Sequence, residues 1–336
     1  MKHVQVWQQA SVVATDDVTP TVRVFLLKPS AETAARWDAG AHLQVQVRVN
    51  GSLQTRHYSL VGPCDAVHWR IAVKRMDDGR GGSLAMWALQ AGDSLAVSGP
   101  HNHFALDTSA SAYLLIAGGI GITPLVSMVQ QIKKQLPQKA VRMLYGVRTP
   151  DELAFAGQLR TRLADDLQTF IASEGQQIDF AGEIAALPPK AQLYTCGPVP
   201  MLEAIRAAWL AAGRRLSDLR FETFGSSGSM AAQAFRVQIP RHQLDIMVPA
   251  DTTLLDALQA AGIDTIADCR RGECGLCTMD VLSVAGQIDH RDVFLSPHEK
   301  KQNTRMCVCV SRVSGTLTLD SAWRPDLLYQ SSHTAT

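Results

Sequence analysis

The chain has 336 residues, 46% of them hydrophobic and 19% charged, with a formal net charge of +1. A length of this size carries a prior of about two or three domains. The balance excludes a disordered, collagen-like or coiled-coil protein and a nucleic-acid binder that works through bulk positive charge, and no electrostatic footprint points to a membrane surface.

Residues 1–10 are polar, with Gln5, Gln8 and Gln9, and lack the apolar stretch of a secretory signal, so a cytoplasmic protein is expected. In the first hundred residues Leu43, Val45, Val47 and Val49 alternate with His42, Gln44, Gln46 and Arg48. That period of two predicts a half-buried strand. Val22–Leu27 and Trp69–Val73 are further strands, and the glycines and prolines between them suggest a small antiparallel barrel.

From Ala112 the pattern turns to alternating strand and helix. The uncharged run Ala112–Val129 is near the lower length limit of a membrane span, but Gly118, Gly119, Gly121, Thr123 and Pro124 interrupt it. It reads better as a strand, a glycine turn and a helix that Pro124 opens. Val141–Tyr145 is the next strand, Asp151–Leu163 the next helix, and Gln192–Cys196 a further strand. Met201–Ala212 is a helix closed by Gly213, and Arg220–Phe224 is a last strand. Such alternation implies a parallel sheet with helices on both faces. Gly225-Ser226-Ser227-Gly228-Ser229 reads as a linker. Beyond it, Phe235–Ile239 and Leu244–Val248 form a hairpin, and Thr252 or Thr253 caps a helix that ends at Gly262.

Five of the seven cysteines crowd the last quarter. Cys269, Cys274 and Cys277 form C-x4-C-x2-C, the spacing of a plant-type 2Fe–2S cluster, which needs a fourth, distant cysteine. Gly272 and Gly275 lie inside the loop, where a side chain would obstruct the approach of backbone N–H groups to the cluster. A zinc site would want a second Cys or His pair, and none follows. Cys307 and Cys309 both offer the fourth thiolate; two residues apart, they would share one face of a strand, so alternation does not choose between them. Cys64 reads as a structural or surface thiol, and Asp289-His290-Arg291-Asp292 as a charged, hydrogen-bonded turn near the cluster.

Gly118-Gly119-Ile120-Gly121-Ile122-Thr123-Pro124 joins a strand to a helix and offers N–H groups and a positive helix end to a pyrophosphate. Cys196-Gly197-Pro198 marks a second strand end of the same kind, where open α/β sheets bind ligands. In the barrel, Arg56 suits a phosphate, Tyr58 a flat ring and Ser59 a hydrogen bond, and Arg80-Gly81-Gly82-Ser83 offers a phosphate cradle.

Taken in order, Arg56-His57-Tyr58-Ser59, Gly81-Gly82-Ser83, Gly118 to Pro124, Cys196-Gly197-Pro198, Phe221-Glu222-Thr223-Phe224-Gly225 and the C-terminal cysteines make the chain resemble the phthalate dioxygenase reductase and vanillate O-demethylase reductase family, over nearly all of its length to Asp320. The resemblance implies a multidomain α/β and β protein. An antiparallel flavin-binding barrel (1–106) precedes a ferredoxin-reductase-type NAD domain (107–225), a linker (226–234) and a β-grasp plant-type ferredoxin domain with a C-terminal extension (235–336). It implies FMN, NADH and a 2Fe–2S cluster as cofactors, and a Rieske non-haem iron oxygenase as the partner of a monomeric electron-transfer reductase. By that likeness Arg56, His57, Tyr58 and Ser59 line the flavin, and Ala72, Val73, Lys74, Gly81, Gly82 and Ser83 hold its phosphate side. Gly119, Gly121, Thr123, Cys196, Gly197 and Pro198 hold the nucleotide, and Phe224 lies near the flavin ring. Ser59, Thr123, Cys196 and Phe224 are then the residues at the hydride-transfer centre, and Cys269, Cys274, Cys277 and Cys309 bind the cluster. Cys309-Val310-Ser311-Arg312 matches the family's fourth-ligand motif, whereas counting from Asp289-His290-Arg291-Asp292 favours Cys307.

His57 stands where the family commonly has threonine, and the tail 321–336, with Trp323 and Tyr329, runs past the family's usual end. NADH is expected over NADPH, because Arg148 has no arginine companion to hold a 2′-phosphate and Glu174 could bind the ribose 2′-OH. The alternatives are a stand-alone flavin/iron–sulfur reductase and a redox sensor.

Overall fold

The computed structural model describes residues 6–31, 36–65, 67–79, 81–224, 228 and 230–321. Arg80, most of the predicted linker, and Trp323 and Tyr329 of the tail lie outside the described residues. The chain forms two compact units, Met1–Phe224 and Gly225–Thr336.

The first unit opens with strands β1 (Trp7–Thr19), β2 (Val22–Pro29), β3 (Ala41–Val49), β4 (Ser52–Ser59) and β5 (Trp69–Lys74), the short helix α1 (Gly82–Trp87) and β6 (Ser94–Asn102). They pair antiparallel in the order β4-β3-β6-β1-β2-β5. A bridge between Leu60, just past β4, and Ile71 of β5 brings the two edge strands together. Closing a sheet on itself removes the unpaired edges that invite association. The core inside is Phe25, Leu27, Leu43, Val45, Trp69 and Ile71. Trp87, at the end of α1, donates its ring N–H to the Val73 carbonyl (3.1 Å), and the Arg23 guanidinium lies 4.3 Å from the centre of its ring. This pins the helix to β5. One expectation needs correction. β3 is not half-buried along its length, because His42 and Gln44 are buried too. His42 is covered by the rings of His57, His101 and His103, with centroids 5.3, 5.8 and 5.6 Å away.

The chain then builds the five-stranded parallel sheet β11-β10-β7-β8-β9. Its elements are β7 (Ala112–Gly118), α2 (Ile122–Gln135), β8 (Ala140–Val147), α3 (Ala156–Leu163), β9 (Leu167–Ile171), α4 (Phe180–Ala185), β10 (Gln192–Cys196), α5 (Val199–Ala211) and β11 (Leu219–Glu222). β7 and β10 are buried along nearly their whole length, as expected of strands covered on both faces. The helix predicted from Asp151 starts late. Pro150–Glu152 is a 3-10 turn, Phe155 takes φ of 62°, and the α-helix begins only at Ala156.

The second unit holds β12 (Phe235–Ile239), β13 (Leu244–Val248), α6 (Leu254–Ala260), β14 (Thr278–Asp289), α7 (Pro297–Gln302), β15 (Arg305–Cys307) and β16 (Arg312–Asp320). The sheet order is β13-β12-β16-β14-β15, with β12 and β16 parallel and the other pairs antiparallel. Thr253 caps α6 by accepting the Asp256 N–H, and Leu254, Leu255 and Leu258 pack into a core with Phe235, Val237 and Leu317. Cys307 and Cys309 do not share a strand as expected. β15 stops at Cys307 and residues 308–310 turn, so strand alternation does not apply to them. Among the described residues no helix is long and apolar enough to cross a membrane.

Candidate cofactor sites

The two glycine turns of the α/β domain lie side by side. β7 and β10 are parallel neighbours, with Cys196 opposite Ala117, so Gly118–Gly121 and Gly197–Pro198 leave the sheet at adjacent strand ends. After β7 the chain moves outward through β8 and β9, then crosses back to β10 and β11 on the other side. The turns therefore sit at the topological switch point, where such sheets bind ligands. Their glycines are required by contact. A Cβ on Gly121 would stand 2.0 Å from the Cys196 carbonyl oxygen, and one on Gly197 would stand 3.0 Å from Gly118 Cα. Gly119 differs: at φ of +54° its Cβ position faces open space, leaving its backbone accessible at the start of α2. Thr123, buried, donates to the Ile120 carbonyl (3.0 Å) and locks the turn.

In the barrel, Arg56 crosses the start of α1. A Cβ on Gly82 would lie 2.2 Å from Arg56 Nε, so only glycine lets the guanidinium reach this backbone. Arg56 also donates to the Thr55 carbonyl (2.9 Å) and to Gln54 Oε1 (2.5 Å). Burial lowers its pKa, and a guanidinium stays protonated regardless. A fixed cation beside the first-turn N–H groups suits a phosphate. Tyr58 is half-buried, and burial pushes its phenol up. Ser83 accepts the Met76 N–H (3.0 Å) and so holds the loop before α1. Ala72 and Val73 are buried in β5. Lys74, at its end, is paired with Glu152 of the α/β domain at 2.8 Å.

The barrel and the α/β domain meet at Ser59, whose hydroxyl lies 3.5 Å from Glu222 Oε2, both residues buried. Phe224, two residues on, keeps 41% of its surface exposed. The contact brings Ser59 and Glu222 together where the barrel meets the α/β domain.

In the second unit Cys269 Sγ accepts the N–H groups of Arg271, Glu273 and Cys274, each at 3.4 Å. Burial pushes this thiol up, and those three N–H groups oppose the shift. Gly272 and Gly275 both take positive φ, and their Cβ positions are occupied: by Val310 Cγ2 at 2.7 Å and by the Phe294 ring at 2.3 Å. Cys277 is drawn to the far cysteines by backbone pairing, since the Val308 N–H donates to its carbonyl at 3.3 Å. Hydrogen bonds from Cys307 and Cys309 hold the Cys277 thiol down; the same bonds and burial raise those two. The surroundings of the pair differ. A hydrogen bond from the Gly272 N–H works against the upward shift of Cys309, whereas the negative charge of Asp292 adds to the upward shift of Cys307. Among the described residues no three His, Cys, Asp or Glu side chains converge on one metal-ion position. A two-iron cluster shares four thiolates between its irons and does not require such a set.

Three family models match in this order: an oxidoreductase FAD-binding domain over residues 9–106, an oxidoreductase NAD-binding domain over 115–207, and a 2Fe-2S iron-sulfur cluster binding domain over 238–314. A solved structure of phthalate dioxygenase reductase, described as modular for electron transfer from pyridine nucleotides to 2Fe–2S, superposes with a TM-score of 0.79 at 31% identity, covering 94% of this chain and 98% of that one. The chain belongs to the phthalate dioxygenase reductase family. The phenoxybenzoate dioxygenase subunit beta of Ectopseudomonas oleovorans is 39% identical over 88% of this chain and 91% of its own length. The heme-dependent oxidative N-demethylase beta subunit of Ectopseudomonas mendocina is 32% identical over 90% and 95%. The chain is thus an oxidoreductase with flavin, NAD and 2Fe–2S domains, of a family whose members are reductase subunits of oxygenase systems.

Within this family frame, sequence reasoning left several residues without a role. Glu222 lies inside the Phe221–Gly225 motif, and the structure brings it to Ser59. Glu152, which carries no motif, meets Lys74. Ser311 and Arg312 carried the motif after Cys309, and here they acquire reasons. Ser311 Oγ accepts the Arg291 N–H (3.2 Å), and Arg312 donates to the carbonyls of Thr252, Gln233 and Pro249 at 2.8–2.9 Å. Cys64 is exposed and accepts the Trp37 N–H.

Proposed function

We propose that this chain takes electrons from NADH and delivers them, through FMN and a 2Fe–2S cluster, to a Rieske oxygenase. The observation that carries the proposal is the presence, in one chain and in this order, of a barrel with a fixed cation, a parallel sheet with paired glycine turns, and a loop that aims three N–H groups at one thiol. A flavin held by Arg56, Tyr58 and the Gly81–Gly82 backbone would supply the conversion between a two-electron hydride donor and a one-electron cluster held by the cysteines.

The chain's own residues do the positioning. Arg56, with the backbone of Gly81 and Gly82, holds the flavin phosphate; Tyr58 flanks the ring. The turns at Gly119, Gly121, Thr123, Gly197 and Pro198 receive the dinucleotide, whose nicotinamide end is directed to Ser59, Cys196 and Phe224. Lys74 joins this site through Glu152 as a tie between the barrel and the α/β domain. Hydride transfer needs no general base, so what matters is that both rings are held in register. Cys269, Cys274, Cys277 and Cys309 bind the cluster, a choice supported by the N–H donor beside Cys309. Glu174, in the 3-10 turn after β9, binds the ribose 2′-OH. Plant-type clusters lie near about −400 mV and Rieske centres start at about −150 mV, so delivery outward is downhill. A monomer working in the cytoplasm, with modules 1–106, 107–225 and 235–336, completes the reading. The N-demethylase relative leaves a haem oxygenase as the second partner class.

The test is NADH oxidation with a purified Rieske oxygenase as acceptor. The expected result is rapid reoxidation of the reduced chain by the Rieske component and retention of NADH-dependent ferricyanide reduction when the cluster is removed. No transfer to a Rieske component, with rapid transfer to a haem oxygenase, would overturn the assigned partner.

A further inference from the structure

We infer that Asp292 is a positioning residue for the cluster: it packs on the cysteine loop at Gly272 while its buried carboxylate holds Ser311, just past Cys309, and its negative charge sets how readily the cluster is reduced. This rests on the reading of Cys269, Cys274, Cys277 and Cys309 as cluster ligands.

The Asp292 side chain has no exposed surface. Its Oδ2 accepts the Leu295 N–H at 2.8 Å, and its Oδ1 accepts the Ser311 hydroxyl at 3.3 Å. Ser311 lies two residues after Cys309. On the other side, the Val293 N–H donates to the Gly272 carbonyl at 3.0 Å, and a Cβ on Gly272 would lie 2.8 Å from Asp292 Cα. Gly272 lies between Cys269 and Cys274. One residue thus touches both segments that must converge on the irons.

The basic groups around it stand at the edge of contact or are engaged elsewhere. Arg291 is committed to Asp289, at 2.8 Å. His290 Nδ1 is 3.7 Å from Oδ1, and Lys300 Nζ is 3.9 Å from Oδ2, beyond ordinary hydrogen-bond reach. The Lys300 ammonium spends its short hydrogen bond on the Asp292 carbonyl instead. Burial raises the carboxyl, but His290, the Leu295 N–H and Lys300 together keep it below the usual carboxylate range, so it is charged at neutral pH. In a low-dielectric interior that charge acts at longer range than at the surface. Reduction adds one electron to the cluster, and a buried carboxylate opposes it; net charge is one of the levers that set cluster potentials.

The test uses the full-length protein and reads iron and sulfide content, EPR of the reduced cluster and its midpoint potential. Asp292→Asn keeps the side-chain size and an acceptor for Leu295 but removes the charge. It is expected to load its cluster and to raise the reduction equilibrium constant about tenfold, which is about 60 mV for one electron. Lys300→Gln, at a partly exposed site, removes the countercharge and is expected to shift the constant about threefold in the opposite direction, about 30 mV. Opposite signs in two variants that both hold the cluster are not produced by a loosened loop. If both loaded variants keep the wild-type potential, the inference is overturned. If Asp292→Asn fails to load, the sign in Lys300→Gln decides. Absence of iron and sulfide from the wild-type protein would instead overturn the ligand reading itself.

Discussion

The two units solve the same problem, holding a redox group, with opposite materials. In the flavin–nucleotide unit the site is backbone and emptiness: Gly82 clears a path for Arg56, Gly121 lets one strand end touch another, and Gly119 leaves open space. In the cluster unit it is dense and charged. Five thiols, four of them buried, stand over the buried groups Asp289, Arg291, Asp292, Ser311 and Arg312. A group bound by shape and hydrogen bonds needs a cradle that can open to a diffusing dinucleotide. A group bound through four thiolates needs a scaffold that keeps those sulfurs converged, and buried hydrogen-bonded side chains such as Asp292 and Ser311 supply such rigidity.

If this contrast holds, the largest effects come from the thiolates. Cys309→Ala should abolish the cluster and electron delivery to a one-electron acceptor while NADH still bleaches the flavin. Cys307→Ala should retain both, as iron content and EPR will read; the reverse pattern would exchange the two cysteines. In the first unit, Gly121→Ala pushes a methyl into the Cys196 carbonyl. Parting the strand ends by a fraction of an ångström should lower kcat/KM for NADH by up to about 100-fold, the scale of a 1 Å misplacement, with flavin content unchanged. Arg56→Ala removes a charge-assisted contact worth about 1.5–3 kcal/mol, so the flavin should bind about ten- to a hundredfold more weakly, measurable by fluorescence titration of the apoprotein.

The smallest effect concerns Asp107, which closes the barrel–sheet junction. Its carboxylate accepts the Ser109 hydroxyl (2.6 Å), the Ser109 N–H (2.9 Å) and Gln192 (2.6 Å), and these bonds, Ser109 first, hold its pKa below the ordinary value. A depressed folded pKa means stability that is complete above the unfolded carboxylate pKa, about 3.9, and lost as pH falls through the lower folded value. Asp107→Asn should therefore flatten the acid limb of thermal stability below about pH 4 and leave neutral-pH activity unchanged.

The same contrast explains what could be read from residue order. The C-x4-C-x2-C loop is a local signal because its ligands lie within one turn-rich stretch, and the alternation in β3 and the apolar runs of β7 and β10 were equally local. The glycine turns became legible only as an ordered set. Contacts that join distant segments were not legible: Ser59 and Glu222 are 163 residues apart, and Lys74 and Glu152 are 78 apart. Nor did any sequence signal announce that Phe155 would adopt positive φ and delay α3, or that β15 would end at Cys307 and free Cys309 from strand alternation. Burial of His42 on the face expected to be polar follows from three histidines contributed by other strands and a loop, a tertiary effect that period alone does not carry.

The most direct measurement is an anaerobic NADH titration of the purified protein followed by absorbance and low-temperature EPR. Bleaching of both flavin and iron–sulfur bands, with a rhombic reduced-cluster signal growing in step with NADH, is the predicted result. Flavin bleaching in iron-replete protein without that signal would contradict electron transfer between the two units.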